Sequence, residues 1–77
     1  MGAKLTPEAS RAARGLLNWS MRELAAQAGV SLPTIQRFEG GGETYVSTAD
    51  KLSATFATHG VEILNGDAPG ARMKPKG

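Results

Sequence analysis

Apolar side chains at Ala9, Ala12, Ala13, Leu16 and Leu17 recur every three or four residues, the spacing of one helix face. Just upstream, Leu5-Thr6-Pro7-Glu8 sets an N-cap threonine before a first-turn proline and an acid. Together they predict a first helix running to about Asn18. The next start is written as Ser20 with Glu23, a capping box flanked by apolar Trp19 and Leu24 at the staple positions. A second helix then runs to Ala28 and stops at Gly29, which can take the left-handed conformation of a C-cap. Val30-Ser31-Leu32-Pro33-Thr34-Ile35 repeats the device, with Ser31 as cap and Val30 stapling to Ile35. The third helix ends at Gly40-Gly41-Gly42. Residues 40–46 read as a loop, after which Ser47 or Thr48 caps a fourth helix to about His59, with Ala49, Leu52 and Phe56 inward and Gly60 ending it.

Beyond Gly60 the period changes. Val61-Glu62-Ile63-Leu64 and Ala71-Arg72-Met73-Lys74 flank a turn-rich stretch at residues 65–70. Pairing Ile63 with Ala71 and Val61 with Met73 puts all four on one face, and sets Glu62 opposite Arg72 on the other. Register, polarity and charge agree on a β-hairpin. The expected architecture is mainly α: residues 1–5 an N-terminal arm, 6–60 a four-helix domain, 61–74 a short C-terminal β-hairpin, and 75–77 a frayed tail.

Length and composition narrow the chemistry. Seventy-seven residues make one small domain with one modest core. The absence of cysteine rules out disulfides, thiolate metal sites and thiol catalysis, and a single histidine rules out a multi-histidine metal site. No apolar run approaches the roughly 20 residues of a membrane helix, and residues 1–20 lack a signal peptide's apolar stretch. The expected compartment is the cytoplasm. Charge is less informative. Residues 1–40 carry five bases (Lys4, Arg11, Arg14, Arg22, Arg37) against three acids (Glu8, Glu23, Glu39), within a chain of net charge +2. That balance permits nucleic-acid binding without arguing for it.

Two short helices three residues apart, the second tightly capped, form a helix-turn-helix. Residues 21–40, MRELAAQAGVSLPTIQRFEG, resemble that motif in the Cro and phage-repressor (XRE-type) family of DNA-binding regulators. The resemblance rests on small Ala25 where the helices touch, Gly29 in the turn, and apolar Leu24, Val30, Ile35 and Phe38 inside. It extends over roughly residues 11–64, including the lead-in Arg14-Gly15-Leu16-Leu17-Asn18-Trp19-Ser20. Two features depart from the family. Met21 stands where members often carry a phosphate-holding glutamine, and the hairpin pattern replaces the common fifth helix.

The resemblance implies a transcriptional regulator that binds double-stranded DNA sequence-specifically, with the helix at 31–39 in the major groove and the preceding helix across the backbone. Ser20, Arg22, Thr34 and the helix N-termini would hold phosphates, while Ser31 and Pro33 also face the groove. Gln36 can pair with adenine, Leu32 can meet a thymine methyl, and Arg37 can either fork onto guanine or clamp a phosphate. Taken singly, each of these side chains also suits an ordinary solvated helix face. Arg14 and Glu39 match a partly buried ion pair that in this family joins the first helix to the end of the third.

The remaining features carry no chemistry of their own. The triple glycine lacks the Gly-Lys-Ser/Thr and the strand of a phosphate loop and reads as a helix terminator. His59, in the last turn of the fourth helix, suits the dipole and can cap a carbonyl. Trp19 reads as core. No enzyme, cofactor or metal is implied. A homodimer is expected, with the hairpin as candidate dimerisation element covered by its own helices or by a twin hairpin. The competing class is a protein-interaction module on the same fold, an antitoxin facing a toxin or an adaptor.

Overall fold

The computed structural model describes residues 4–64 and 69–75. The residue 1–3 part of the expected arm, positions 65–68 of the turn and the last two residues of the tail lie outside the described residues. The elements follow as α1 (Pro7–Leu17), α2 (Met21–Ala28), α3 (Leu32–Glu39), α4 (Val46–Thr58), β1 (Val61–Leu64) and β2 (Gly70–Met73). The fold is mainly helical, four helices closed by one antiparallel hairpin.

Hydroxyl caps set the first three helices. The Ala9 N–H donates to Thr6 Oγ1 at 3.1 Å, the Glu23 N–H to Ser20 Oγ at 3.1 Å, and the Thr34 N–H to Ser31 Oγ at 3.3 Å. Each bond satisfies one donor that a helix start leaves without an intrahelical acceptor. Asn18 ends α1 at φ 57° and Gly29 ends α2 at φ 72°, both left-handed. The fourth helix departs from the expected pattern. It starts at Val46 with Tyr45 as N-cap and no side-chain cap bond. Ser47 and Thr48 therefore lie inside its first turn, where the Thr48 N–H donates to the Tyr45 carbonyl at 3.0 Å. A β-conformation at Tyr45 suffices to open the helix, and no hydroxyl marks the place.

The core is built from one side of every helix, with Leu5 before α1 and Val61 of β1: Leu5, Ala9, Ala13, Leu24, Ala25, Ile35, Phe38, Leu52, Phe56 and Val61. Leu5, the last residue of the expected arm, is buried with the core. Ala25 is small and buried on α2, which packs against both α3 and α4. Trp19 bridges the α1–α2 connection to α4. Its ring stacks on Phe56 with centroids 6.2 Å apart and meets His59 edge-on at 4.7 Å. His59 Nδ1 lies 2.9 Å from the Thr55 carbonyl oxygen, which can only accept, so the ring nitrogen donates.

The hairpin has the expected register, Val61 opposite Met73, Glu62 opposite Arg72 and Ile63 opposite Ala71. Arg72 Nε donates to Glu62 Oε1 at 3.0 Å on the outer face. Its apolar face lies on this chain's own helices: α1 packs against both strands and α4 against β1. Val61 is buried, Ile63 and Ala71 pack against the core, and Met73 stays 47% exposed. The cover comes from within the chain, so no twin hairpin is needed to bury that face.

Candidate nucleic-acid interface

Helix α3 presents its faces according to spacing. Ile35 and Phe38 point into the core, and Ser31, Pro33, Gln36 and Arg37 are exposed. Leu32 and Thr34 are half-buried, so Leu32 offers less surface than a fully outward side chain would. The Ser31 and Thr34 hydroxyls bond each other at 2.7 Å, which fixes both at the start of the helix. With that bond, the cap on the Thr34 N–H and a proline at position 33, α3 leaves few free donors at its N-terminus. The α2 start is different. Ser20 and Arg22 are exposed there, and the Met21 and Arg22 N–H groups have no intrahelical acceptor. Met21 itself packs against the core, which accounts for an apolar side chain at that position.

One network fixes the angle of α3. Arg14 grips Glu39 in a fork, Nε donating to Oε2 at 2.8 Å and Nη2 to Oε1 at 2.6 Å. The two side chains are 18% and 5% exposed. Arg14 Nη1 also reaches the Trp19 carbonyl at 3.2 Å. The hydrogen bond to Glu39 is the main reason the Arg14 pKa is raised, against an opposing push from burial. Sequence reasoning missed two members. Ser10, fully buried, donates its hydroxyl to Glu39 Oε2 at 2.7 Å, and Arg11 Nη1 donates to the Glu39 backbone oxygen at 2.6 Å. Ser10 lies one helical turn before Arg14 on the same face of α1, which brings both to Glu39. Arg11 sets a cation on a carbonyl at the α3 C-terminus, where the helix dipole favours it.

The predicted residues therefore fall into three places: Ser20 and Arg22 at the α2 start, Ser31 through Arg37 along α3, and Arg14 with Glu39 beneath. A family model described as helix-turn-helix matches residues 11–63, spanning all three. The chain belongs to the XRE-type helix-turn-helix family. A protein of Archaeoglobus fulgidus, whose name gives it as a candidate HTH-type transcriptional regulatory protein, is 38% identical over 65 residues. That match covers 80% of this chain and 21% of the relative, so the chain spans about a fifth of the length of the curated protein it matches. As a member of this helix-turn-helix family the chain is a DNA-binding domain. Among the described residues no group of three His, Cys, Asp or Glu side chains could hold a metal ion. No described helix is long and apolar enough to cross a membrane.

Proposed function

We propose that the chain is a transcriptional regulator that reads a specific double-stranded DNA site, with α3 in the major groove and α2 across the backbone. The carrying observation is a rigid exposed face: Ser31, Pro33, Gln36 and Arg37 on a helix whose end is held by the Arg14–Glu39 fork. Gln36 and Leu32 meet base edges in this reading, and Ser20, Arg22 and the α2 N-terminus hold phosphates. The name of the archaeal relative points the same way. Such a reader works where the cell keeps its DNA, the cytoplasm. Selection of bound sites from a random duplex library is the test. A recovered consensus supports the reading; an unselected pool from a folded protein overturns it.

One copy offers about four cationic or N-terminal phosphate contacts, which sets a salt slope near −3 to −4 by the rule of about 0.9 per phosphate. That electrostatic contribution is small for one half-site, so the reading includes two copies on half-sites about one helical turn apart. Because the apolar face of the hairpin is already covered, the strand edges and Met73 are what it offers a second copy.

A second reading, a protein-interaction module such as an antitoxin or adaptor, has one observation in its favour. Tyr45 and Val46, side by side at the start of α4, are 82% and 76% exposed. Salt separates the two readings. DNA affinity should fall steeply as salt rises, whereas an apolar partner interface should hold.

A further inference from the structure

We propose that Arg37 clamps a DNA backbone phosphate, aimed there by Gly42, and does not read a base. The inference rests on the DNA-binding reading above and decides a role that reading leaves open. Arg37 stands in the last turn of α3, whereas base edges in this docking mode are met mainly by the N-terminal part of the recognition helix. After Glu39 the chain doubles back. Gly41 takes φ 85°, and the Gly42 N–H donates to the Arg37 carbonyl at 2.9 Å. This lays Gly42 along the Arg37 stem, so closely that a Cβ at position 42 would stand 2.8 Å from Arg37 Cγ and 3.2 Å from its carbonyl oxygen. Gly42 itself is outside the left-handed region, so only space demands glycine there.

The stem therefore runs along the loop. Arg37 there lines a cleft with Thr34, Glu43, Thr44, Tyr45 and Thr48. Among the described residues the ion pairs are Arg14–Glu39 and Arg72–Glu62, which leaves Arg37 uncommitted. Four of the five side chains around it end in hydroxyls, donors suited to phosphate oxygens. Reading guanine instead requires a guanidinium free to lie edge-on to one base pair. Glu43 is the opposing charge of the cleft and weakens any anion bound beside it.

The test is a set of titrations of the full chain against its selected duplex and a scrambled duplex of equal length, each at several salt concentrations. Arg37→Ala should weaken both duplexes by the same factor, about tenfold for a charge-assisted contact. The slope of log K against log salt should fall in magnitude by about 0.9. Arg37→Lys, which keeps the charge and loses the fork, should retain most of the affinity on both. Gly42→Ala should copy the Arg37→Ala pattern and add nothing in the Arg37→Ala background. Glu43→Gln should tighten both duplexes. Loss of discrimination at one base pair in Arg37→Ala, or wild-type binding by that variant, overturns the assignment while leaving the DNA reading in place. A Gly42→Ala loss that persists without the arginine overturns the aiming role. Failure of the wild-type chain to select any duplex overturns the DNA reading and this assignment with it.

Discussion

Glu39 is the residue on which the presentation of α3 turns. Its carboxylate is 5% exposed and takes hydrogen bonds from Arg14 and Ser10, while Arg11 holds its carbonyl. Removing one partner of a buried pair strands the other, so Glu39→Ala should destabilise the fold by about 3–5 kcal/mol, against about 0–1 for a surface pair. Adding Arg14→Leu should recover part of that loss. Denaturation midpoints in the two variants check both statements, and an unchanged midpoint in the single variant contradicts the first. Ser10→Ala should cost less, about 1–2 kcal/mol, because the fork survives it. The sign of the pH effect follows from Arg14. Its pKa is raised in the folded state, so its contribution is complete at neutral pH and is lost only as strongly alkaline pH removes the proton. The pair itself was legible through family resemblance. Ser10 was not, because a helical serine ordinarily reads as surface and nothing local in the sequence reveals a carboxylate arriving from residue 39.

The elements were legible where side chains mark their ends. Thr6, Ser20 and Ser31 each announce a helix, and each caps one. The start of α4 comes earlier than its hydroxyls suggest, because Tyr45 opens it by backbone conformation alone while Ser47 and Thr48 imitate caps. Register in the hairpin was legible because alternation and the Glu62–Arg72 pair agree, and a slip by one residue would break both. What the sequence could not show was which helix lies over the apolar face. Two glycines test the backbone argument at this scale. A methyl group at Gly29 meets nothing within 4 Å, yet its φ of 72° disfavours any side chain. Gly29→Ala should therefore cost about 1 kcal/mol, wholly from conformation. Gly15, inside α1 and equally open to a methyl group, should do the reverse. Gly15→Ala is expected to stabilise by roughly 0.5–1 kcal/mol. Thermal melts of the two variants should move in opposite directions.

At the scale of the molecule, the hairpin is part of the core and not an appendage. Val61 is 1% exposed, and β2 lies along α1. A chain ending at Gly60 should accordingly melt lower and with a broader transition than the full chain, as calorimetry would show. Equal melting would mean that the strands merely decorate the helices. Assembly is best read from the mass of the full chain in sedimentation, alone and with a two-half-site duplex, where two copies per duplex are expected. The seat of β2 also bears on the order in which the protein is made. Of the helices in this domain α1, Pro7–Leu17, is made before the others, and it waits for Gly70–Met73 before its apolar side is finished. Closing contacts so far apart in sequence costs loop entropy before it gives anything back. A nascent chain thus carries caps for α2 and α3 well before α1, the holder of Arg14, is latched in place. With α3 as the proposed reading helix, such half-made molecules would present it at no fixed angle and should not compete with finished ones for the same DNA.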